Sequence, residues 1–454
     1  MKKVSGVKAP HNKNTAKFAP EILPVPPEVR LPMSMHAGTA ANPVVSVGDY
    51  VKVGQLIGEA VGAVSSPVHA SVSGTVKSID NIDSITGEKS VSITITSDGQ
   101  QTPWEGIIPP QVTNLQEFLE AVRNSGVCGL GGAGYPTAPK FTLKETQKLD
   151  YILVNGAECE PYITSDTRTM VDATDDVWDG VLMMQKYLKP KDIIICIEDN
   201  KPEPIKKLKA LCEGKEGLSV RVLPSLYPQG ERKVLVYNVT GRIVPEGGRL
   251  PDVGCIVVNC TTVATFSKFI KTGNPLVSKC VTVDGSAVKN PKNIIAPLGT
   301  KVQDIFEYVG GLVSEGKLSD HVKKVTLGGP MMGIAIPNLD VPIVKITNAV
   351  IAFSAKDAVP PEPTACIKCS RCISQCPMSL MPPYIENAYE LKKPELLKQF
   401  KVNMCAECAC CAFTCPAKRP LIQVMIQAKN ILWLYEKAQK AAAAVPASEK
   451  KEAK

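Results

Sequence analysis

Short runs of β-branched residues separated by glycine turns fill residues 43–98. Turns such as Gly48-Asp49 and Ser73-Gly74 punctuate these runs, a pattern typical of a small barrel or sandwich. The preceding residues, about thirty of them, are rich in proline and lysine, so we expect an extended lead-in there. The pattern therefore predicts an N-terminal extension and a barrel-sandwich domain over residues 1–100.

The periodicity then changes to helices alternating with buried strands. The apolar positions of residues 115–124 fall on one stripe, which predicts a helix. Uninterrupted apolar runs at residues 151–154, 193–197 and 255–259 predict strands that are buried on both faces. Helical patterns separate these runs, so we expect an α/β domain over residues 110–275.

The rest of the chain predicts a second β module, a cysteine domain and a tail. Residues 276–350 combine apolar strand-like runs with a helix near residues 302–309, and they look like a compact β-grasp module. A proline-rich linker leads to residues 364–436, which hold most of the cysteines. Residues 437–454 are rich in Ala, Lys and Glu without an apolar face, which predicts a flexible tail. The fold class is thus multidomain α/β and α+β.

Composition narrows the location and the partners. No stretch approaches about eighteen consecutive apolar residues, so we expect no membrane span. The first residues lack the apolar core of a signal peptide, so we expect a cytoplasmic protein. The net charge of +8 suits a solvated surface, a docking face for an acidic partner, or an anionic membrane surface. Lys and Arg do not cluster with stacking aromatics, so nucleic-acid binding is not expected.

The sixteen cysteines carry the strongest chemical signal. In a cytoplasmic chain they do not predict disulfides. Two copies of Cys-x2-Cys-x2-Cys-x3-Cys-Pro begin at Cys366 and Cys405. Thiolates are soft ligands suited to Fe–S clusters, and in this motif the fourth cysteine ligates the cluster of the other copy. The spacing therefore predicts two [4Fe–4S] clusters with interleaved ligands.

The predicted ligands form two sets. The first set is Cys366, Cys369, Cys372 and Cys415, and the second set is Cys376, Cys405, Cys408 and Cys411. The alternative is a pair of zinc sites, but zinc motifs usually pair two CxxC knuckles across a longer gap. Cys410 lies outside the spacing, and we expect a packed thiol beside a cluster rather than a ligand.

A glycine-rich loop at residues 126–136 contains a G-x-G-x-x-G match that starts at Gly129. Its context is not that of a Rossmann fingerprint, because a predicted helix precedes it and Pro136 and Pro139 obstruct a helix directly after it. The loop is either a simple turn or a backbone that approaches a flat or phosphorylated ligand. In the second case Lys140 is placed to meet a phosphate.

An acidic turn follows the strand at residues 151–154, with the sequence Asn155-Gly156-Ala157-Glu158-Cys159-Glu160-Pro161. Parallel α/β domains bind ligands at the carboxyl ends of their strands. Glu158 and Glu160 are therefore either ligand-binding groups or surface charges.

Together, the glycine loop and the acidic turn resemble the flavin- and NADH-binding subunit of respiratory complex I. Residues 227–232 are similar to that family's Tyr-x-x-Gly-Glu-Glu segment, and residues 258–261 to its Asn-Asn strand end. Ala157 and Cys260 depart from the family, where they replace an aspartate and an asparagine. The resemblance implies a non-covalent FMN that faces an NAD(H) site, with Tyr135 beside the nicotinamide. The implied cofactor-binding residues are Gly129, Gly131, Gly132, Gly134, Tyr135, Lys140, Asn155, Glu158, Glu160, Tyr227, Gly230, Glu231, Asn259 and Thr261.

The order of the modules is closer still to the RnfC family of the Rnf complex, as are residues 67–74, 328–333 and 344–348. That family has a non-lipoylated barrel, a flavin domain, a β-grasp (SLBB-like) domain and an α-helical ferredoxin-like domain with two clusters. The barrel here resembles biotinyl and lipoyl carrier domains, yet no lysine occurs between Lys52 and Lys77. The carrier chemistry is therefore missing and the barrel is expected to be structural.

The resemblance implies a subunit of a membrane-bound, ion-translocating ferredoxin:NAD+ oxidoreductase. Electrons from ferredoxin would reach the clusters through membrane-embedded and Fe–S partner subunits, pass to FMN and reduce NAD+. The chain would sit peripherally on the cytoplasmic side of the membrane. No residue stands out as an acid–base catalyst, and hydride transfer needs none. The alternatives are a soluble flavin/Fe–S reductase of a corrinoid (cobalamin) and a non-enzymatic Fe–S scaffold whose flavin site has decayed.

Overall fold

The computed structural model describes residues 5–83, 89–313 and 321–444, and the chain divides between two units. The larger unit holds residues 10–225 and 235–359. The smaller unit holds residues 1–9, 226–234 and 360–454. The predicted fold class is confirmed, while the predicted domain boundaries stay predictions.

The N-terminal part of the larger unit is an antiparallel barrel-sandwich. One sheet has the order β2 (Glu28–Pro32), β8 (Lys89–Ser97), β7 (Gly74–Asp83), β4 (Tyr50–Val51), and a second sheet has the order β3 (Asn42–Pro43), β5 (Leu56–Glu59), β6 (Val68–His69). The lead-in prediction was incomplete, because β2 lies within it. Val29 and Leu31 alternate into the core there, and this short period-two signal is masked by flanking prolines.

A parallel sheet forms the centre of the flavin-like domain. Its order is β11 (Leu218–Leu223), β10 (Asp192–Glu198), β9 (Tyr151–Gly156), β12 (Cys255–Asn259). The three predicted strands are confirmed, and β11 is an addition. Ile152 and Val154 join one apolar cluster while Leu153 joins another, so both faces of β9 are buried, as the apolar run predicted.

Helices cover this sheet and connect its strands. They are α1 (Leu115–Asn124), α2 (Thr137–Phe141), α3 (Ser165–Asp172), α4 (Thr174–Leu188), α5 (Pro202–Cys212), α6 (Arg232–Thr240), a 3-10 turn (Leu250–Val253) and α7 (Cys260–Thr272). The predicted helix at residues 115–124 is confirmed, and Asn114 caps it by accepting from the Glu117 amide at 3.0 Å. The expectation that prolines prevent a helix after the glycine loop was wrong. Pro139 lies in the first turn of α2, where its missing N–H costs no intrahelical hydrogen bond.

The β-grasp module completes the larger unit. Its sheet has the order β1 (Glu21–Ile22), β14 (Lys292–Pro297), β13 (Ser278–Asp284), β17 (Ala349–Ser354), β15 (Val322–Leu327), β16 (Ile334–Ala335). Helix α8 (Val302–Tyr308) buries Val302, Ile305 and Phe306 against this sheet, as the sequence predicted, and α9 (Ala355–Ala358) follows β17.

The cysteine domain of the smaller unit is helical. Its elements are α10 (Arg371–Ser374), α11 (Pro382–Glu390), α12 (Pro394–Gln399), a 3-10 turn (Val402–Met404), α13 (Cys410–Thr414) and α14 (Leu421–Ala444). Helix α14 continues through residues 437–444 of the segment predicted as a flexible tail, because Ala, Lys and Glu are strong helix formers. Residues 445–454 lie outside the described residues. No helix in the described ranges is long and apolar enough to cross a membrane.

Candidate functional site

The crevice of interest lies where the strand order of the parallel sheet changes direction. From β9 the chain proceeds to β10 and β11 on one side, and it returns to β12 on the other. Asn155 near the end of β9 is in register with Asn259 at the end of β12. Ligands of doubly wound sheets bind at such a switch point, beyond the carboxyl ends of the strands. The structure therefore brings two of the predicted residues together at the expected place.

The glycine loop lies beside the end of β12. The Leu130 amide donates to the Thr262 hydroxyl at 3.0 Å, and that hydroxyl donates to the Cys128 carbonyl at 3.1 Å. A Cβ added to Gly131 would lie 3.0 Å from Nδ2 of Asn259. A side chain at Gly131 would therefore push the loop away from the strand end. Thr262 was missed by sequence reasoning.

Residues of the barrel and of the β-grasp module donate hydrogen bonds to carbonyls of the same loop. The Ser66 hydroxyl donates to the Gly126 carbonyl at 2.9 Å, and the Ala37 amide donates to the Gly134 carbonyl at 2.9 Å. The buried Lys279 ammonium donates to the Leu130 carbonyl at 2.8 Å. Burial lowers the pKa of Lys279 to about 8. These contacts give the barrel without carrier chemistry a structural role.

The front of the loop suits a flat, phosphorylated ligand such as FMN. Gly131 and Gly132 are exposed, and a Cβ added to Gly132 would meet nothing within 4 Å, so the backbone there is open to a ligand. The Thr137 hydroxyl is buried directly after the loop and has no hydrogen-bond partner among the described residues. Tyr135 is 36% exposed, and Lys140 lies in the last turn of α2.

Glu158 of the acidic turn caps a helix. Its carboxylate accepts from the Asp166 amide at 2.6 Å and from the amide and hydroxyl of Thr167, at the start of α3. A carboxylate at a helix N-terminus is stabilised by the free amides and the helix dipole. Burial nevertheless raises the pKa of Glu158, and the Lys13 ammonium opposes this effect.

Glu160 has a different partner, the glycine-rich segment at residues 328–333. Its carboxylate accepts from the amides of Met331 at 3.2 Å and Met332 at 2.9 Å. A Cβ added to Gly329 would lie 2.3 Å from Oε2 of Glu160, so a side chain at that position would displace the Glu160 carboxylate. The acidic turn and the β-grasp module are thus joined by this one carboxylate, and the two glutamates of the turn have separate roles in the fold.

Asp166 was missed by sequence reasoning and links the two strand ends. Its carboxylate accepts from Nδ2 of Asn259 at 2.7 Å and from the Thr261 hydroxyl at 2.6 Å. The only sequence signal was an acidic residue in the first turn of a helix after the acidic turn. Asn259 also caps α7 by accepting from the Thr262 amide at 3.2 Å. Asn259 and Thr261 are therefore held in place by Asp166.

The remaining predicted residues, Tyr227, Gly230 and Glu231, belong to the smaller unit. The Glu231 carboxylate accepts from the amides of Lys233 at 2.7 Å and Val234 at 2.9 Å, at the start of α6. Within the same unit, the thiol of Cys410 lies 3.8 Å from the Tyr227 carbonyl. This segment and the cysteine runs thus share one unit.

The two cysteine runs have the same backbone conformation. In the first run Lys368 and Ser370, which flank the second cysteine, Cys369, have φ of 56° and 59°. In the second run Glu407 and Ala409 occupy the same places with φ of 56° and 61°. Left-handed residues within such a turn direct successive amides into a concavity that favours anions, including Fe–S clusters.

The second set of cysteines lines one cavity. Cys376, Cys405, Cys408 and Cys411 surround it, with apolar walls that include Leu380 and Met425. The Cys376 sulfur accepts from the Leu380 amide and the Cys405 sulfur accepts from the Glu407 amide, both at 3.3 Å. Cys410 also lines this cavity. A cavity walled by cysteine thiols, two of which already accept N–H hydrogen bonds, suits a [4Fe–4S] cluster.

The first set of cysteines lies closer to the surface. Cys366 and Cys369 are exposed, Cys372 is buried, and Cys415 is half-buried. Cys372 and Cys411 belong to one apolar cluster against which Cys415 packs, so members of both runs lie close together. Burial raises the pKa of Cys372, and the Cys415 and Cys366 thiols raise it further. No described group of three or more His, Cys, Asp or Glu side chains is arranged to hold a single metal ion. Cys410 is fully buried.

Three family models match the chain. The "RnfC Barrel sandwich hybrid domain" matches residues 2–100, the "Nuo51 FMN-binding domain" matches residues 122–268, and the "SLBB domain" matches residues 280–335. These matches agree with the barrel, the parallel α/β domain and the β-grasp module seen in the structure.

Similarities to known proteins agree with these family matches. The chain is 39% identical over 375 residues to the RnfC-type subunit of the proton-translocating ferredoxin:NAD(+) oxidoreductase complex of Clostridium ljungdahlii, which covers 82% of this chain and 80% of that protein. The fold of the present chain is similar to that of a chain of an "NAD+-reducing [NiFe]-hydrogenase in the H2-reduced state". The TM-score is 0.50, with 15% identity over 70% of the present chain. That match spans 63% of the hydrogenase chain. The chain therefore belongs to the RnfC family of the ferredoxin:NAD+ oxidoreductase complexes and is a subunit of an oxidoreductase in electron transport.

Proposed function

We propose that this chain passes electrons between two [4Fe–4S] clusters and an FMN that exchanges hydride with NAD(H). The observation that carries the proposal is the cavity lined by Cys376 from one run and Cys405, Cys408 and Cys411 from the other. This interleaved set is the one that the spacing of a two-cluster ferredoxin requires. The match to an FMN-binding domain at residues 122–268 supports the flavin.

The flavin when bound supplies hydride exchange with a nicotinamide and single-electron exchange with clusters. The chain supplies position and shape. The glycine loop from Gly129 to Gly134 offers exposed backbone, and Asn155 and Asn259 offer side chains at the two strand ends. Lys140 and the loop amides are the groups proposed to hold the phosphate.

The acidic residues are proposed to orient the nucleotide while they also hold the fold. Glu158 and Glu160 each accept hydrogen bonds from backbone amides. An ionised carboxylate has about four lone-pair sites, so these bonds leave acceptor capacity for ribose hydroxyls. The amides fix the direction of each carboxylate before a ligand arrives, which lowers the entropy lost on binding.

The partners are proposed from the family. The Clostridium ljungdahlii relative belongs to a complex, and we propose that membrane-embedded and Fe–S subunits of such a complex bind this chain on the cytoplasmic side of the membrane. Ferredoxin would then be an indirect donor. Ion translocation would belong to the membrane-embedded partners.

The test is an anaerobic reduction of the reconstituted chain by NADH. Protein loaded with clusters and FMN is mixed with NADH, and the flavin absorbance and the cluster EPR signals are recorded together. The proposal predicts bleaching of the flavin and reduced-cluster signals, and the same protein without FMN should show neither. Cluster reduction that does not depend on FMN would contradict the proposal.

A parallel assay separates the corrinoid alternative. The same preparation is given NADH with either ferricyanide or cobalamin as the acceptor. The proposal predicts rapid ferricyanide reduction and negligible cobalamin reduction. Comparable rates with both acceptors would favour the soluble reductase.

A further inference from the structure

An N-terminal strap, residues 11–16, lies against the acidic turn. The Lys13 ammonium donates to the backbone carbonyls of Glu158 at 2.7 Å, Glu160 at 2.8 Å and Ile163 at 2.6 Å. An ammonium group has three protons, so each proton of Lys13 has a carbonyl acceptor. The strap was expected to be a plain lead-in, yet its lysine binds a predicted part of the nucleotide site 145 residues further along the chain.

The acidic turn contains backbone that needs external support. Glu158 has a φ of 48° and Tyr162 has a φ of 69°, both in the left-handed region that side chains disfavour. Such residues persist where surrounding contacts over-determine them. The Tyr162 amide donates to the His11 carbonyl at 3.0 Å, and the Thr15 hydroxyl lies 2.5 Å from the Thr164 hydroxyl. The strap therefore contacts the turn on both sides of Lys13.

Two ammonium groups, the half-buried Lys13 and the buried Lys201, donate to the carbonyls of the turn. Burial lowers the pKa of Lys13, and the negative charge of Glu158 opposes this effect. Lys201, whose side chain is 3% exposed, donates to the neighbouring Ala157 carbonyl at 2.6 Å. Removal of Lys13 would leave three carbonyls without their donor, and buried unpaired acceptors are costly.

A chain of contacts connects Lys13 to the switch-point crevice. Lys13 fixes the backbone at Glu158, whose carboxylate caps α3 at Asp166. The Asp166 carboxylate in turn binds Asn259 and Thr261 at the end of β12. Displacement of the turn would therefore alter both sides of the crevice.

We propose that Lys13 is a positioning residue for the flavin and nicotinamide site. It acts through the acidic turn and α3, and it lies outside residues 122–268, which match the FMN-binding domain. The inference rests on the proposed function, because it assumes that the crevice binds FMN. The N-terminal strap thus contributes to the geometry of the flavin site.

The experiment compares Lys13→Met with Lys17→Met in the full-length chain. Lys17 is an exposed lysine just beyond the same strap, so its replacement controls for the loss of one N-terminal positive charge. FMN affinity is measured by titration of flavin fluorescence, the thermal midpoint is measured on the flavin-free protein, and the KM for NADH is measured at saturating FMN. Lys13→Gln is the second variant, because its uncharged amide can donate only two hydrogen bonds to the three carbonyls, so it should keep the fold and still weaken FMN binding, although less than Lys13→Met does.

Lys13→Met should weaken FMN binding by about tenfold or more, because a charged donor to three carbonyls of the turn is lost. It should also raise the KM for NADH and change the absorption band shape of the bound flavin, which a purely stabilising residue would not do. Lys17→Met should match the wild type. Wild-type FMN affinity and KM in Lys13→Met, or in Lys13→Gln if Lys13→Met does not fold, would overturn the inference. A wild-type chain that binds no FMN would instead overturn the proposed function itself.

Discussion

The two cysteine runs repeat one backbone in two different environments. Left-handed residues recur at Lys368 and Ser370 in one run and at Glu407 and Ala409 in the other. The surroundings differ, because Cys366 and Cys369 are exposed whereas their counterparts in the second run, Cys405 and Cys408, are half-buried and buried. The two runs thus share a local backbone conformation and differ in their access to solvent.

This difference suggests a division of labour between the two proposed clusters. Electron transfer to a partner subunit needs a cluster near the surface, which fits the first set. Transfer within the chain needs a protected cluster, which fits the second set with its walls of Leu380, Ile422 and Met425. Solvent exposure is also one of the factors that set a cluster's potential, so the two clusters should differ in potential.

The largest expected effect comes from removal of a buried ligand. Cys408→Ser should lower the iron content from about eight to about four atoms per chain. It should also lower the unfolding free energy by about 4 kcal/mol or more, because a lost metal centre is among the most destabilising changes. Iron analysis and thermal melting of the anaerobic protein measure both effects.

The matched variant is Cys369→Ser in the exposed set. It should lose a similar amount of iron with a smaller decrease in the thermal midpoint, because its site contributes less buried structure. Equal destabilisation by the two variants would show that the difference in burial has no energetic consequence.

The second prediction tests the crossing of the ligands between runs. Cys415→Ser should remove the same EPR signal as Cys369→Ser, although Cys415 lies in the other run. Cys376→Ser should remove the signal that Cys408→Ser removes. If Cys415→Ser instead removed the EPR signal that Cys408→Ser removes, each cluster would be held by a single run. That result would contradict the interleaved sets.

A third prediction concerns the rates of iron loss. A chelator added to the oxidised holoprotein should remove iron in two phases, with the first half leaving at least about tenfold faster than the second. Two cysteines of the first set are exposed to solvent, whereas none of the second set is, so the second set should release iron only after local unfolding. Absorbance of the iron–chelator complex follows both phases. A single phase for all the iron would remove the distinction between the sets.

The smallest expected effect separates the scaffold from the ligands. The Arg419 guanidinium donates to the Glu386 carboxylate at 2.8 Å and 2.9 Å, and Glu386 is 5% exposed. Arg419→Met should therefore cost about 1–3 kcal/mol of unfolding free energy by leaving a buried acceptor unpaired, with no loss of iron. Chemical denaturation with iron analysis checks this, and Lys418→Met is the control. Loss of iron in Arg419→Met would show that this pair supports a cluster directly.

Local features of the sequence predicted the strands that border the flavin site and the positions of the cysteine runs. Apolar runs predicted β9 and β12, which the structure confirms. The cysteine spacing predicts the two ligand sets. Both signals lie within a few residues of the sequence. The proline rule failed at α2, because Pro139 is tolerated in a first helical turn.

Contacts between segments far apart in the chain could not be predicted from the sequence. The Glu160 carboxylate binds the Met331 amide 171 residues away, and Lys13 binds the Glu158 carbonyl from the N-terminal strap. No periodicity encodes such pairs, since they exist only after the modules pack together. The ligand roles of the predicted flavin residues stay predictions that the variants above address.

The most direct test of the account is the cofactor content of one anaerobic preparation. Iron, acid-labile sulfide and flavin are measured on the same reconstituted sample of the full-length chain. The account predicts about eight irons, about eight sulfides and about one FMN per chain. About four irons, or no FMN retained after reconstitution, would contradict it.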